Sequence, residues 1–119
     1  MRIKVIHKAN GGLAAARNSG QDLATGKTLM FLDGDDYLEL NCCELAYNAL
    51  VARDVELVMF NQFVNYPNSQ VEVQSFVGCE SKIFVGAECG ELQARVLDFN
   101  GKIAMVFMKL IRLDYLRKN

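Results

Sequence analysis

Three carboxylates within four positions, Asp33, Asp35 and Asp36, end an apolar run, Leu29-Met30-Phe31-Leu32. Charges of one sign held this close repel. Two carboxylates about 4 Å apart cost roughly 1 kcal/mol in water and about 4 kcal/mol at an effective dielectric near 20. A divalent cation turns that repulsion into attraction, and hard carboxylate oxygens suit Mg²⁺ or Mn²⁺. The plainer alternative is a solvated Asp-Gly turn closing a strand.

A second candidate is Arg17, which interrupts a small, apolar stretch just after the turn Asn10-Gly11-Gly12. Its guanidinium could offer a fixed fork to a phosphate. Backbone N–H groups at the start of the following helix would add to it. Taken alone, the residue reads better as a snorkelling surface arginine. His7 is the single histidine, so Ser-His-Asp triads and histidine metal clusters lack material. The four cysteines, Cys42, Cys43, Cys79 and Cys89, contain no C-x-x-C pair, which argues against zinc and for reduced thiols.

Three better-known motifs fail on context. Gly26-Lys27-Thr28 ends like a phosphate loop, but its upstream glycine, Gly20, is one position too far away. It also lies between a helix and a strand, the reverse of the required order. Asp33, Asp35 and Glu44 fall at calcium-loop positions one, three and twelve, yet Leu38 stands where that loop needs glycine. A haloacid-dehalogenase-type phosphatase also places an Asp-x-Asp after an apolar strand, its first Asp acting as nucleophile. Here Asp36 and Tyr37 follow in place of that family's glycine and threonine or valine, and a βα unit precedes the motif. The phosphatase stays as a weaker alternative.

Positioning these residues requires an α/β arrangement. Residues 2–7 read as a strand. Leu13, Ala16, Gly20, Leu23 and Ala24 fall on one face of a helix from about Leu13 to Ala24, and Thr28–Leu32 reads as a buried strand. That β-turn-α-β order is typical of parallel sheets. Asn41 can cap a helix reaching about Arg53, with Cys43, Ala46, Tyr47 and Leu50 as its buried stripe. Val55–Phe60 reads as a third strand, Tyr66-Pro67-Asn68-Ser69 as a turn, and Val71 to Phe76 as a hairpin partner. Lys82–Val85 reads as extended and Gly86–Leu97 as helical. Ile103–Ile111 is ambiguous between strand and helix, and a short polar helix or frayed end follows.

Size and composition agree with one domain. The chain has 119 residues, 51% hydrophobic and 23% charged, and a net charge of −1. The balance makes no electrostatic case for nucleic acid. No apolar run approaches the ~20 residues of a membrane span, and the opening residues lack a signal-peptide pattern.

Three blocks together resemble family 2 glycosyltransferases of the GT-A fold. They are Asn10-Gly11-Gly12-Leu13-Ala14-Ala15-Ala16-Arg17-Asn18-Ser19-Gly20, then Ala24-Thr25-Gly26-Lys27, then Phe31-Leu32-Asp33-Gly34-Asp35-Asp36-Tyr37-Leu38. A fainter echo lies at Met108-Lys109-Leu110-Ile111-Arg112, where Met108 and Ile111 depart from the Asn-Lys-Leu-Tyr-Arg of many bacterial members. The resemblance implies a partial GT-A domain over residues 1–119, a Rossmann-like mixed sheet flanked by helices. It implies an inverting transfer of sugar from a nucleotide diphosphate sugar to a saccharide or lipid-linked acceptor. Asp33 and Asp35 would be the Asp-x-Asp pair holding Mg²⁺ or Mn²⁺. Asn10, Gly11, Gly12, Arg17 and Asp36 would bind substrate. The implied setting is bacterial polysaccharide synthesis in the cytoplasm, or peripherally at the inner face of the membrane. A non-catalytic module binding nucleotide diphosphates is the alternative from another class.

The resemblance also implies omissions. Family members open with a strand, a helix and a second strand whose Asp recognises the base; this sequence enters near their third strand. It ends before the Glu-Asp pair that carries the catalytic base, and Asp98 and Asp114 are not at the matching place, so the catalytic residue is unknown. The expectation is an internal fragment with little turnover alone, exposing strand edges or pairing through them with a second copy.

Overall fold

The computed structural model describes residues 3–73, 82–89 and 108–118. Helix α1 runs Gly12–Leu23, and β1 is Thr28–Leu29. Helix α2 is Cys42–Arg53, β2 Leu57–Met59, β3 Gln62–Tyr66 and β4 Ser69–Val73. A 3-10 turn spans Gly86–Glu88; β5 is Lys109–Arg112, and α3 is Leu113–Lys118.

Strand β5 organises the fold. It lies between β1 and β2 and pairs antiparallel with both, Leu29 opposite Ile111 and Val58 opposite Leu110. Successive strand residues face opposite sides of a sheet. Leu110 and Ile111 are nevertheless both buried, so β5 is covered on both faces and shows no alternation. That is why 103–111 was ambiguous by periodicity; residues 103–107 lie outside the described residues. Helix α2 packs its buried Ala46 and Leu50 on Leu110, with Met30, Val55, Val58 and Phe60 around them. Leu50 is 1% exposed.

Arg112 ties this layer together. Its Nε donates to the Val55 carbonyl at 3.0 Å, and a terminal guanidinium nitrogen donates to Asp54 Oδ1 at 2.9 Å. Asp54 ends α2 in the left-handed region, φ 47. Arg117 donates to the Ala24 carbonyl at 2.8 Å, fixing the end of α1 near α3.

Several expectations need correction. Residues 3–10 form no strand, and Ile3 and Val5 are each 70% exposed. A strand is stabilised by a partner's ladder, and no described strand pairs with this segment. Of Thr28–Leu32 only Thr28–Leu29 is paired, and the ladder is antiparallel, so the expected parallel pairing is absent among the described residues. The segment is half-buried, with Leu32 exposed. Helix α1 matches its expected span, but Leu13 and Leu23 face solvent and it buries no residue fully. In α2 only Ala46 and Leu50 of the expected stripe are buried; Cys43 and Tyr47 are exposed. Asn41 stands at the N-cap without a side-chain cap bond.

The hairpin expectation holds at its turn. β3 and β4 pair antiparallel across Pro67-Asn68, Tyr66 opposite Ser69. Lys82–Val85 carries no ladder, and beyond Cys89 the expected helix to Leu97 lies outside the described residues. No described helix is long and apolar enough to cross a membrane.

Candidate active site

The acid cluster forms a tight turn. The Asp36 N–H donates to the Asp33 carbonyl at 3.1 Å, over Gly34 and Asp35. Asp33 faces α1. There one terminal nitrogen of Arg17 donates to Asp33 Oδ1 at 2.8 Å and to Oδ2 at 3.2 Å. The two side chains are 23% and 33% exposed, so the pair is partly shielded from water. Arg17 Nε is buried without a hydrogen-bond partner, a cost of about 1–3 kcal/mol for such a group.

Asp35 and Asp36 go the other way. Neither carboxylate makes a hydrogen bond or ion pair with a described residue, and both line a cavity of about 380 Å³. Asp33 does not line it. The opposite wall comes from β3, through Gln62, Phe63 and Asn65. A polar chain joins the walls: Asn65 Nδ2 donates to the Tyr37 hydroxyl at 2.6 Å, and Gln70 Nε2 donates to Asn65 Oδ1 at 2.8 Å. Cys42, at the start of α2, also lines the cavity. Burial pushes its thiol above the ordinary value, and the neighbouring Cys43 and Glu39 add to the effect.

The glycine turn sits at the head of α1. Asn10 Oδ1 accepts from the Gly12 N–H at 3.0 Å, and Gly12 adopts φ 84, while Gly11 is the N-cap. Gly12 thus uses the conformational freedom that a side chain would deny. Lys8, which sequence reasoning passed over, donates to the Ala15 carbonyl at 3.0 Å and to Ser19 Oγ at 2.7 Å. Among the described residues no hydrogen bond or ion pair joins Asn10, Gly11 or Gly12 directly to the acid turn. The link runs through α1 and Arg17.

The structure therefore divides the expected site. It brings Arg17 and Asp33 together, each meeting the opposite charge within the chain. It leaves Asp35 and Asp36 open on the cavity. Tyr37 and Asn65 were missed as site residues; the polar Asn61, Gln62 and Asn65 beside apolar strand residues were the available signal.

Among the described residues no three His, Cys, Asp or Glu side chains converge as an all-protein metal cage would require. A Mg²⁺ or Mn²⁺ held by one or two carboxylates, with water and substrate phosphates completing the shell, does not need one. Asp35 fits that demand as it stands. Asp33 fits it only by giving up part of its bond to Arg17.

The profile of the family described as glycosyl transferase family 2 matches residues 1–119. The chain is 60% identical over 37 residues to the uncharacterized glycosyltransferase EpsJ of Bacillus subtilis (strain 168), covering 31% of this chain and 11% of that protein. It is 35% identical over 69 residues to the glycosyltransferase GlyG of Streptococcus pneumoniae serotype 4, covering 57% and 23%. It is 26% identical over 122 residues to the cholesterol galactosyltransferase of Borreliella burgdorferi, covering 98% and 34%. The matches thus span between 11% and 34% of the length of these relatives. No solved structure matches the chain.

Proposed function

The chain belongs to glycosyl transferase family 2, and from that premise we propose that its acid turn serves a metal-dependent, inverting transfer of sugar from a nucleotide diphosphate sugar to a saccharide or lipid-linked acceptor. One observation carries the reading: Arg17 takes up Asp33, while the Asp35 carboxylate stands open on a cavity. A bound Mg²⁺ or Mn²⁺ would supply Lewis-acid stabilisation of charge developing on the leaving diphosphate.

The chain's own residues have distinct tasks in this reading. Asp35 anchors the cation, and Asp36 holds substrate beside it. Arg17 keeps Asp33, and with it the turn, at a fixed position against α1. Asn10, Gly11 and Gly12 shape the backbone on the donor side of α1. The name of one relative, a cholesterol galactosyltransferase, supports lipid acceptors as a class. The cytoplasm, or the inner face of the membrane, is the compartment that suits such a donor.

A non-catalytic nucleotide-binding module shares the binding steps and differs only in turnover. The phosphatase alternative needs Asp33 as an open nucleophile, and Arg17 occupies both its oxygens. Self-association remains part of the proposal: the outer edges of β1 and β2, and those of the β3–β4 hairpin, carry no described strand.

Calorimetry with UDP, with and without Mn²⁺, tests the donor half. Binding that requires the metal supports it, and equal affinity without the metal contradicts it. Release of sugar from a UDP-sugar donor then separates transferase from passive module.

A further inference from the structure

The β3–β4 hairpin stands apart from the main sheet. Its strands pair with each other, while β1, β5 and β2 form a separate ladder. The main sheet holds the chain as far as Phe60, whose N–H donates to the Met108 carbonyl at 3.1 Å. Phe60 and Asn61 then root the hairpin between β2 and β3. A two-stranded hairpin is marginally stable on its own in water. This one hides little apolar surface, since Phe63, Tyr66 and Val71 are each about half exposed. Segments with few buried apolar contacts open at low free-energy cost.

One face of the hairpin bonds to the acid turn. Asn65 lies directly opposite Gln70 in the ladder, so both side chains leave the same face. Gln70 Nε2 donates to Asn65 Oδ1 at 2.8 Å, and Asn65 Nδ2 donates to the Tyr37 hydroxyl at 2.6 Å. Tyr37 follows Asp36, so this bond joins hairpin and acid turn directly. Both residues are exposed, water competes for the bond, and its net contribution is small. Cys42 lines the same cavity as β3, Asp35 and Asp36, and is half-buried there.

We infer that the β3–β4 hairpin is a flap over this cavity, latched by Tyr37 and Asn65, and that release of the latch sets access to Asp35, Asp36 and Cys42. The flap needs neither a metal nor a sugar, so it is independent of the transferase reading.

Cys42 is a built-in reporter of opening. Its alkylation by N-ethylmaleimide is followed on the full chain in a Cys43→Ser background. Cys89, exposed and outside the cavity lining, is the reference. Tyr37→Phe removes one oxygen and keeps the ring; Asn65→Ala removes the donor. Each should speed Cys42 labelling about two- to tenfold, the range for one exposed hydrogen bond, and leave Cys89 unchanged. The double variant should label Cys42 no faster than Asn65→Ala, because both changes break one bond. Circular dichroism confirms that the variants fold. An unchanged Cys42 rate in either single variant overturns the inference. So does Cys89 speeding in step with Cys42, which is general loosening, and so does a double variant whose effect is the product of the two single effects.

Discussion

Arg17 and Asp33 are sixteen residues apart and meet through one guanidinium nitrogen that bonds both carboxylate oxygens, at 2.8 and 3.2 Å. This pair fastens the acid turn to α1. Exposed ion pairs contribute about 0.2–1 kcal/mol, whereas stranding one partner of a buried pair costs about 3–5 kcal/mol. With side chains 23% and 33% exposed, Arg17–Asp33 lies between those limits. Arg17→Met should lower unfolding free energy by about 1–2 kcal/mol in urea denaturation. A double-mutant cycle with Asp33→Asn should show coupling. Additive effects would mean that the two side chains do not support each other.

The glycines of α1 should respond oppositely to alanine. Gly12 sits at φ 84, where an L-residue is strained by roughly 1–2 kcal/mol. Gly20 is inside the helix, and a Cβ there meets nothing within 4 Å. Gly12→Ala should therefore destabilise by about 1 kcal/mol, and Gly20→Ala should stabilise by roughly 0.5–1 kcal/mol. Thermal melts of the two variants check the contrast; shifts of the same sign would contradict it.

The thiols at the start of α2 should differ in reactivity. The thiolate is the nucleophile, and burial raises the Cys42 pKa, so at mildly alkaline pH Cys42 should alkylate more slowly than the exposed Cys43. Folding also shifts with this group. The unfolded thiol ionises at the ordinary value and the folded one above it, so stability is favoured below the ordinary value. That contribution falls as pH rises through the folded value. Mass-spectrometric labelling against pH reads the order, and faster modification of Cys42 would contradict it.

Local features were legible in the residues and distant pairings were not. The Pro67-Asn68 turn, the span of α2 and the bend at Asp33–Asp36 follow from neighbouring residues, and each is in place. Arg17–Asp33 and Tyr37–Asn65 join residues 16 and 28 apart, and no local period encodes them. The apolar pattern of residues 3–7 resembles a strand, but a strand is a property of two segments. Its pattern alone could not show that no described strand pairs with it. Strand β5 carried the reverse difficulty: covered on both faces, it lost the alternation that would have identified it.

The central claim is that Asp35 anchors the cation. Calorimetric titration of UDP in Mn²⁺, comparing wild type with Asp35→Asn, tests it most directly. The account predicts metal-dependent binding in wild type that falls at least about tenfold in the variant, a loss near 1.4 kcal/mol. Unchanged UDP–Mn²⁺ affinity in a folded Asp35→Asn would contradict it.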